Sequence, residues 1–173
     1  MFDPTVFENL KVAIENQLYD LDNLDREIDI VGRIDRLEMA VMSREFALRF
    51  TLPESKSISA EIWLTASLKD LAAEILELAG ESPGCTLKLR YYMQISDVQA
   101  QCAQIDRIIE QIWGSELVPV QTISYVFGDS TKEYENQIEL RFQRKINEEQ
   151  MDDISGLLEH MQETLRQLVK LQQ

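Results

Sequence analysis

Apolar residues near the start of the chain recur at helical spacing: Phe7, Leu10, Ile14, Leu18 and Leu21 step by three and four and form one stripe. Asp3 as N-cap with Pro4 at the first helical position gives that stripe a start, so a helix is expected to about residue 20. The period then changes to two. Along REIDIVGRIDRLEMAVMSREFALRFTLP, first Ile28, Ile30 and Ile34, then Leu37, Met39 and Val41, then Phe46, Leu48 and Phe50 alternate with polar neighbours. This predicts three strands in a meander, and Ile58, Ala60, Ile62 and Leu64 predict a fourth.

Thr65 or Ser67 is placed to cap a second helix with Leu68, Leu71, Ala72, Ile75, Leu76 and Ala79 on its inner face. Gly80 suits its C-cap, and Pro83-Gly84 marks a turn. A strand over 86–94 follows, then a helix capped by Ser96 or Asp97 that carries Val98, Cys102, Ile105, Ile109 and Ile112 and ends at Gly114. Strands over 118–127 and 134–145 join at GDST, and Asn147 with Gln150 forms a capping box for the last helix.

The expected order is α-β-β-β-β-α-β-α-β-β-α, an α+β fold. It has a mostly antiparallel sheet of about seven strands with about four helices largely on one face. With no linker or composition break, residues 1–173 read as a single domain. The helix-then-meander order, the acidic pI and the long closing helix resemble acidic secretion-chaperone-like domains at the level of fold, and no motif is shared.

Three strands rhyme. Phe46-Ala47-Leu48-Arg49-Phe50, Leu87-Lys88-Leu89-Arg90-Tyr91 and Ile138-Glu139-Leu140-Arg141-Phe142 repeat one pattern, with arginines at unequal spacing, which excludes a solenoid. Helix, strands, a rhyming strand and a helix run over 5–79 and again over 97–171, the order a duplicated half-domain would leave. Alternation puts Leu48 and Phe50, Leu89 and Tyr91, and Leu140 and Phe142 under the helices. Arg49, Arg90 and Arg141 then share the other face with Thr51, Glu61, Trp63, Lys88, Tyr92, Gln94, Glu139 and Gln143. Cross-strand Arg and Glu pairs on a solvated face are the plain expectation. A partner-binding face built on Arg49, Trp63, Arg90, Tyr92 and Arg141 is the sharper one, because Trp, Tyr and Arg dominate interface hot spots. The last helix carries Ile154, Leu158, Met161, Leu165 and Leu168 along one seam, either to pack on its own sheet or to contact a second subunit.

Composition narrows the functions. A net charge of -14 repels phosphate backbones, so nucleic acid is not expected as a partner. No apolar run is long enough for a membrane span, the first residues lack a signal-peptide pattern, and a cytoplasmic location is expected. Cys85 and Cys102 read as reduced structural residues, and a metal site built on His or Cys is not expected. The lone His160, between Glu159 and Glu163, reads as a solvated helix residue without a catalytic role. The run YDLDNLDREID places Asp20, Asp22 and Asp25 like a calcium loop but lacks its glycine and its closing glutamate. No phosphate loop, dinucleotide fingerprint or nucleophile elbow occurs, and no cofactor is expected. The sequence therefore points to a non-enzymatic acidic interaction protein or chaperone-like module, acting as a homodimer. The alternative is a small-molecule binder or enzyme that uses Arg and carboxylates on an anionic ligand.

Overall fold

The computed structural model describes residues 5–173, so the Asp3 cap and Pro4 lie outside the described residues. Helix α1 (Thr5–Asn23) precedes a meander of β1 (Asp29–Glu38), β2 (Ser43–Leu52) and β3 (Ser55–Ala66). Then come α2 (Leu68–Leu76), β4 (Thr86–Ile95), α3 (Val98–Trp113), β5 (Val120–Ser124), β6 (Tyr134–Arg141), a 3-10 turn (Glu148–Asp153) and α4 (Ile154–Gln172). Among the described residues the strands form one six-stranded sheet in the order β1-β2-β3-β4-β6-β5, with every neighbouring pair antiparallel. The α+β class holds, with six strands in place of the expected seven.

The lost strand is the one expected around Leu37, Met39 and Val41. Leu37 ends β1, and residues 39–42 form the turn into β2, with Met42 in the left-handed region at φ 53°. A bulge between Ile30 and Gly32 also shifts the register of β1. One extra residue reverses which face every later side chain meets. Ile30 pairs with Phe50 on the helix side, whereas Ile34 pairs with Ala47 on the opposite side. Arg33 and Asp35 consequently turn towards α1, where Arg33 reaches Glu15 (2.6 Å) and Asp35 accepts from Lys11 (3.0 Å) and Arg44 (3.1 Å).

One face of the sheet makes the core. Phe46, Leu48, Phe50, Ile58, Ile62, Leu64, Leu89, Tyr91, Ile138 and Leu140 are inaccessible there, with Phe7, Leu10, Ile14 and Leu18 from α1 and Ile105 and Ile109 from α3. The expected inward residues of the rhyming strands are therefore inward. Phe142 lies beyond the end of β6 but still packs on the core margin. Gly84 is required by a close approach: a Cβ there would meet the Ile146 carbonyl at 2.9 Å, beside the Cys85–Ile146 bridge.

The second helix differs from expectation. Ser67 caps it in a reciprocal box with Asp70, but Glu77 turns left-handed at φ 46° and ends it at Leu76, before Gly80. The shortened helix buries only Asp70, Leu71 and Ala73, and Leu68, Ile75, Leu76 and Leu78 stay on the surface. Asp97 and Gly114 bound α3, as the sequence implied; the Asn147–Gln150 box expected to cap the last helix instead caps the 3-10 turn before it, and Asp153 at the start of α4 makes no side-chain cap bond. The two halves do not repeat element for element: three strands separate α1 from α2, and only β5 and β6 separate α3 from α4.

Candidate functional site

Register brings the arginine face together. Arg49 of β2 lies opposite Glu61 of β3, Glu61 opposite Arg90 of β4, and Arg90 opposite Glu139 of β6. One row thus alternates in charge across four strands. Arg141 lies in the adjoining row, opposite Lys88, and reaches back along its own strand to pair with Glu139. In the row on the other side Tyr92 lies opposite Ser59 and Gln137. The face carrying Arg49, Arg90 and Arg141 holds no helix, and all five residues singled out in the sequence are on it.

Local chemistry closes this face on itself. Glu61, 3% exposed, accepts from Arg49 Nε at 2.9 Å, from the Tyr92 hydroxyl at 2.8 Å and from Trp63 Nε1. Glu139, 5% exposed, accepts from Arg90 Nε at 2.7 Å and from Arg141. The Arg49 guanidinium lies 4.1 Å from the Tyr92 ring centre, and Arg90 and Lys88 lie 4.9 and 5.2 Å from that of Trp63. Such stacking is favourable because a ring face is electron-rich, and it leaves Trp63 only 8% exposed without any helix above it. A partner could touch Arg141, whose side chain is 70% exposed, but Trp63 is already covered by its own neighbours.

The ionisable groups follow from this packing. Burial works to raise the Glu139 carboxyl, but the hydrogen bonds from Arg90 and Arg141 outweigh it and hold Glu139 below the ordinary range. Asp35 is likewise held low: burial acts upwards, and Lys11, Arg44 and Arg33 prevail. Burial raises Tyr92, and its bond to Glu61 adds to that. Burial lowers Lys88, followed by repulsion from Arg90. Because the folded forms of Glu139 and Asp35 bind protons less readily than the unfolded chain, their contribution is complete above the ordinary carboxylate range. It is lost as pH falls through the lower folded values. Urea midpoints measured from pH 7 downwards are expected to hold until about pH 5 and then fall, with Glu139→Gln flattening part of that fall.

The seam of α4 is covered. Ile154, Leu158, Met161, Leu165 and Leu168 are at most 3% exposed, against the chain's own sheet and helices. In the single chain these side chains pack on the protein's own core. Its stripe is core because α4 lies over β2 and β3 between α1 and α3.

Two adjoining hollows went unread in the sequence. One, of about 360 Å³, is lined by Leu87, Ile112, Trp113, Phe142, Gly156 and His160 among others. The other, of about 500 Å³, shares Trp113 and Phe142 with it and adds Leu117, Arg141 and Arg144. Trp113 donates to Thr164 Oγ1 at 2.9 Å, with its ring 5.4 Å from His160 and 6.0 Å from Phe142. His160 is exposed as expected but tilts against Trp113, with Nδ1 2.7 Å from the Gly156 carbonyl. A Cβ on Gly156 would meet nothing, so this helical glycine opens space at the hollow's wall.

Both cysteines are free thiols. Burial pushes Cys85 up to about 12, with Glu74 adding to it, and Cys102 is raised by burial and Asp106, so neither is an activated nucleophile. Among the described residues no group of His, Cys, Asp or Glu is placed to hold a metal ion, and no helix is long and apolar enough to cross a membrane. Asp22 of the calcium-like run instead accepts from the Ile30 amide at 3.1 Å.

The uncovered apolar side chains lie elsewhere. Val118, Val120, Tyr125, Val126 and Phe127 surround the short edge strand β5, with Phe127 96% exposed. Leu68, Ile75 and Leu76 of α2, with Leu78 just beyond it, form a second group, and Leu37, Met39 and Val41 at the turn between β1 and β2 a third. Comparisons with protein-family models, with curated proteins and with solved structures found no match to this chain.

Proposed function

We propose that the protein is a non-enzymatic acidic interaction module, chaperone-like in presenting a surface to other proteins, and that it acts as a homodimer in the cytoplasm. The observation that carries this reading is the run of uncovered apolar side chains around β5: Val118, Val120, Tyr125, Val126 and Phe127 within ten residues. Scattered single apolar residues are ordinary on a surface; a contiguous patch is characteristic of contact sites. The buried carboxylates Glu61 and Glu139 support the same reading, because both are engaged by arginines of their own sheet. The free thiols suit a reducing compartment. The net charge of -14 argues against nucleic acid. Sedimentation velocity of the full chain from about 1 to 100 μM tests the reading: a dimer that dissociates on dilution is expected, and a monomer throughout would end it.

A second reading rests on the hollows. The two hollows share Trp113 and Phe142, and the larger adds Arg141, Arg144 and Lys145, a lining that suits a small amphipathic anion. On that reading such an anion raises the melting temperature; at 100 times its dissociation constant it would add about 2.7 kcal/mol.

A further inference from the structure

We propose that two copies join through β5, pairing antiparallel about a two-fold axis at Thr122 so that the two six-stranded sheets become continuous. This rests on the homodimer reading above and names its contact.

The two edges of the sheet are built differently. At one edge, β1 carries Asp29, Arg33, Asp35, Arg36 and Glu38 and is bent by the bulge near Gly32. Charges and bulges are what proteins use to keep an edge from pairing. At the other edge, β5 reads Val-Gln-Thr-Ile-Ser, has no charge, and runs without a register break against β6. A two-fold axis sets the edge against a second copy of itself, and an edge without charge brings no like charges together there.

The strand is also held ready. Gln121 donates to the Cys102 carbonyl at 2.9 Å and to Asp106 at 2.7 Å, and accepts from Asn136 at 2.8 Å, which fastens the inner face of β5 to α3 and β6. Little ordering is then left to oppose association.

Centring on Thr122 has consequences outside the strand. Val120 of each copy lies opposite Ser124 of the other, and beyond the strand the flanking segment with Val126 and Phe127 comes beside the segment with Leu117 and Val118. Val118, Val126 and Phe127, bare in one copy, thus come near the flanking apolar residues of the next. Pro119 lacks an N–H and lies opposite Tyr125, so the new ladder stops where β5 stops. Leu117 lines the 500 Å³ hollow with Trp113 and Phe142, which gives the second copy's Phe127 an apolar place to settle.

Cysteine substitution in the full chain tests this. Thr122→Cys is expected to give a covalent dimer on a non-reducing gel, because directly opposed residues lie within about 5.5 Å, inside disulfide range. Val120→Cys is expected to give almost none, its mates being about 13 Å apart along the strands. Phe127→Asp, at a side chain 96% exposed and so outside the fold's own packing, is expected to weaken the dimer tenfold or more with an unchanged circular dichroism spectrum. If the wild type is dimeric but Thr122→Cys does not cross-link, or Phe127→Asp leaves the affinity intact, β5 pairing is wrong and the homodimer stands on another surface. Loss of the dimer in Leu76→Asp alone would identify that surface as α2. A monomeric wild type would remove the homodimer reading and this contact together.

Discussion

Glu61→Ala is expected to lower stability by about 2–4 kcal/mol, somewhat under the roughly 3–5 kcal/mol for breaking a fully buried ion pair from one side. The carboxylate is 3% exposed and takes bonds from Arg49, Tyr92 and Trp63, so its removal leaves three donors facing a space that small waters fill poorly. Arg49 is 38% exposed in its side chain and recovers part of its hydration, which keeps the expected loss below the upper limit for fully buried pairs. Glu61→Gln should cost roughly half as much, since an acceptor survives while the charge opposite Arg49 does not. Arg141→Ala provides the contrast at under about 0.5 kcal/mol, because its side chain is 70% exposed and Arg90 still serves Glu139. Urea unfolding resolves these differences as midpoint shifts at constant slope. A loss below about 0.5 kcal/mol for Glu61→Ala would mean that water already separates the members of this face.

Leu165→Ala in α4 is expected to cost about 2–5 kcal/mol, the lost transfer free energy of a buried leucine plus the cavity left behind. The same substitution distinguishes core from interface. A seam that served as a subunit contact would lose affinity at constant monomer stability. A seam that serves as core loses stability whatever the protein concentration. The second behaviour is expected, because the chain's own sheet lies under Ile154, Leu158, Met161, Leu165 and Leu168.

Periodicity was enough to find the helices and most strands, because their burial stripes are continuous: Phe7 to Leu18 in α1 and Ile154 to Leu168 in α4 lie inward as their spacing implies. It failed where one residue changes the geometry. The bulge before Gly32 turns Ile34 to the open face and Arg33 towards α1, and nothing in the local alternation distinguishes that from a regular strand. Glu77 in a left-handed conformation ends α2 a turn early, and an apolar face expected inside becomes Ile75 and Leu76 outside.

The arginine face was legible in parity but not in register. Strand alternation puts Arg49, Arg90 and Arg141 on one side. That Glu61 lies between Arg49 and Arg90, and that Trp63 is covered by Lys88 and Arg90, depends on pairings between distant strands. The hollows combine Trp113, Phe142 and His160 from three separate segments, and no local pattern joins them. The edge strand could have been suspected, since VQTIS lacks charge and Val126-Phe127 stands beside a Gly-Asp turn. Its place at the margin is set by β6 pairing with β4, which only topology reveals.

Amide hydrogen exchange as a function of protein concentration tests the account most directly, since an unpaired edge amide exchanges with solvent and a paired one does not. The outward amides of Val120–Ser124 are expected to become protected as concentration rises through the dissociation constant, while those along the charged edge of β1 stay unchanged. Exchange at β5 that is fast at every concentration, in a sample shown by sedimentation to be dimeric, would contradict it.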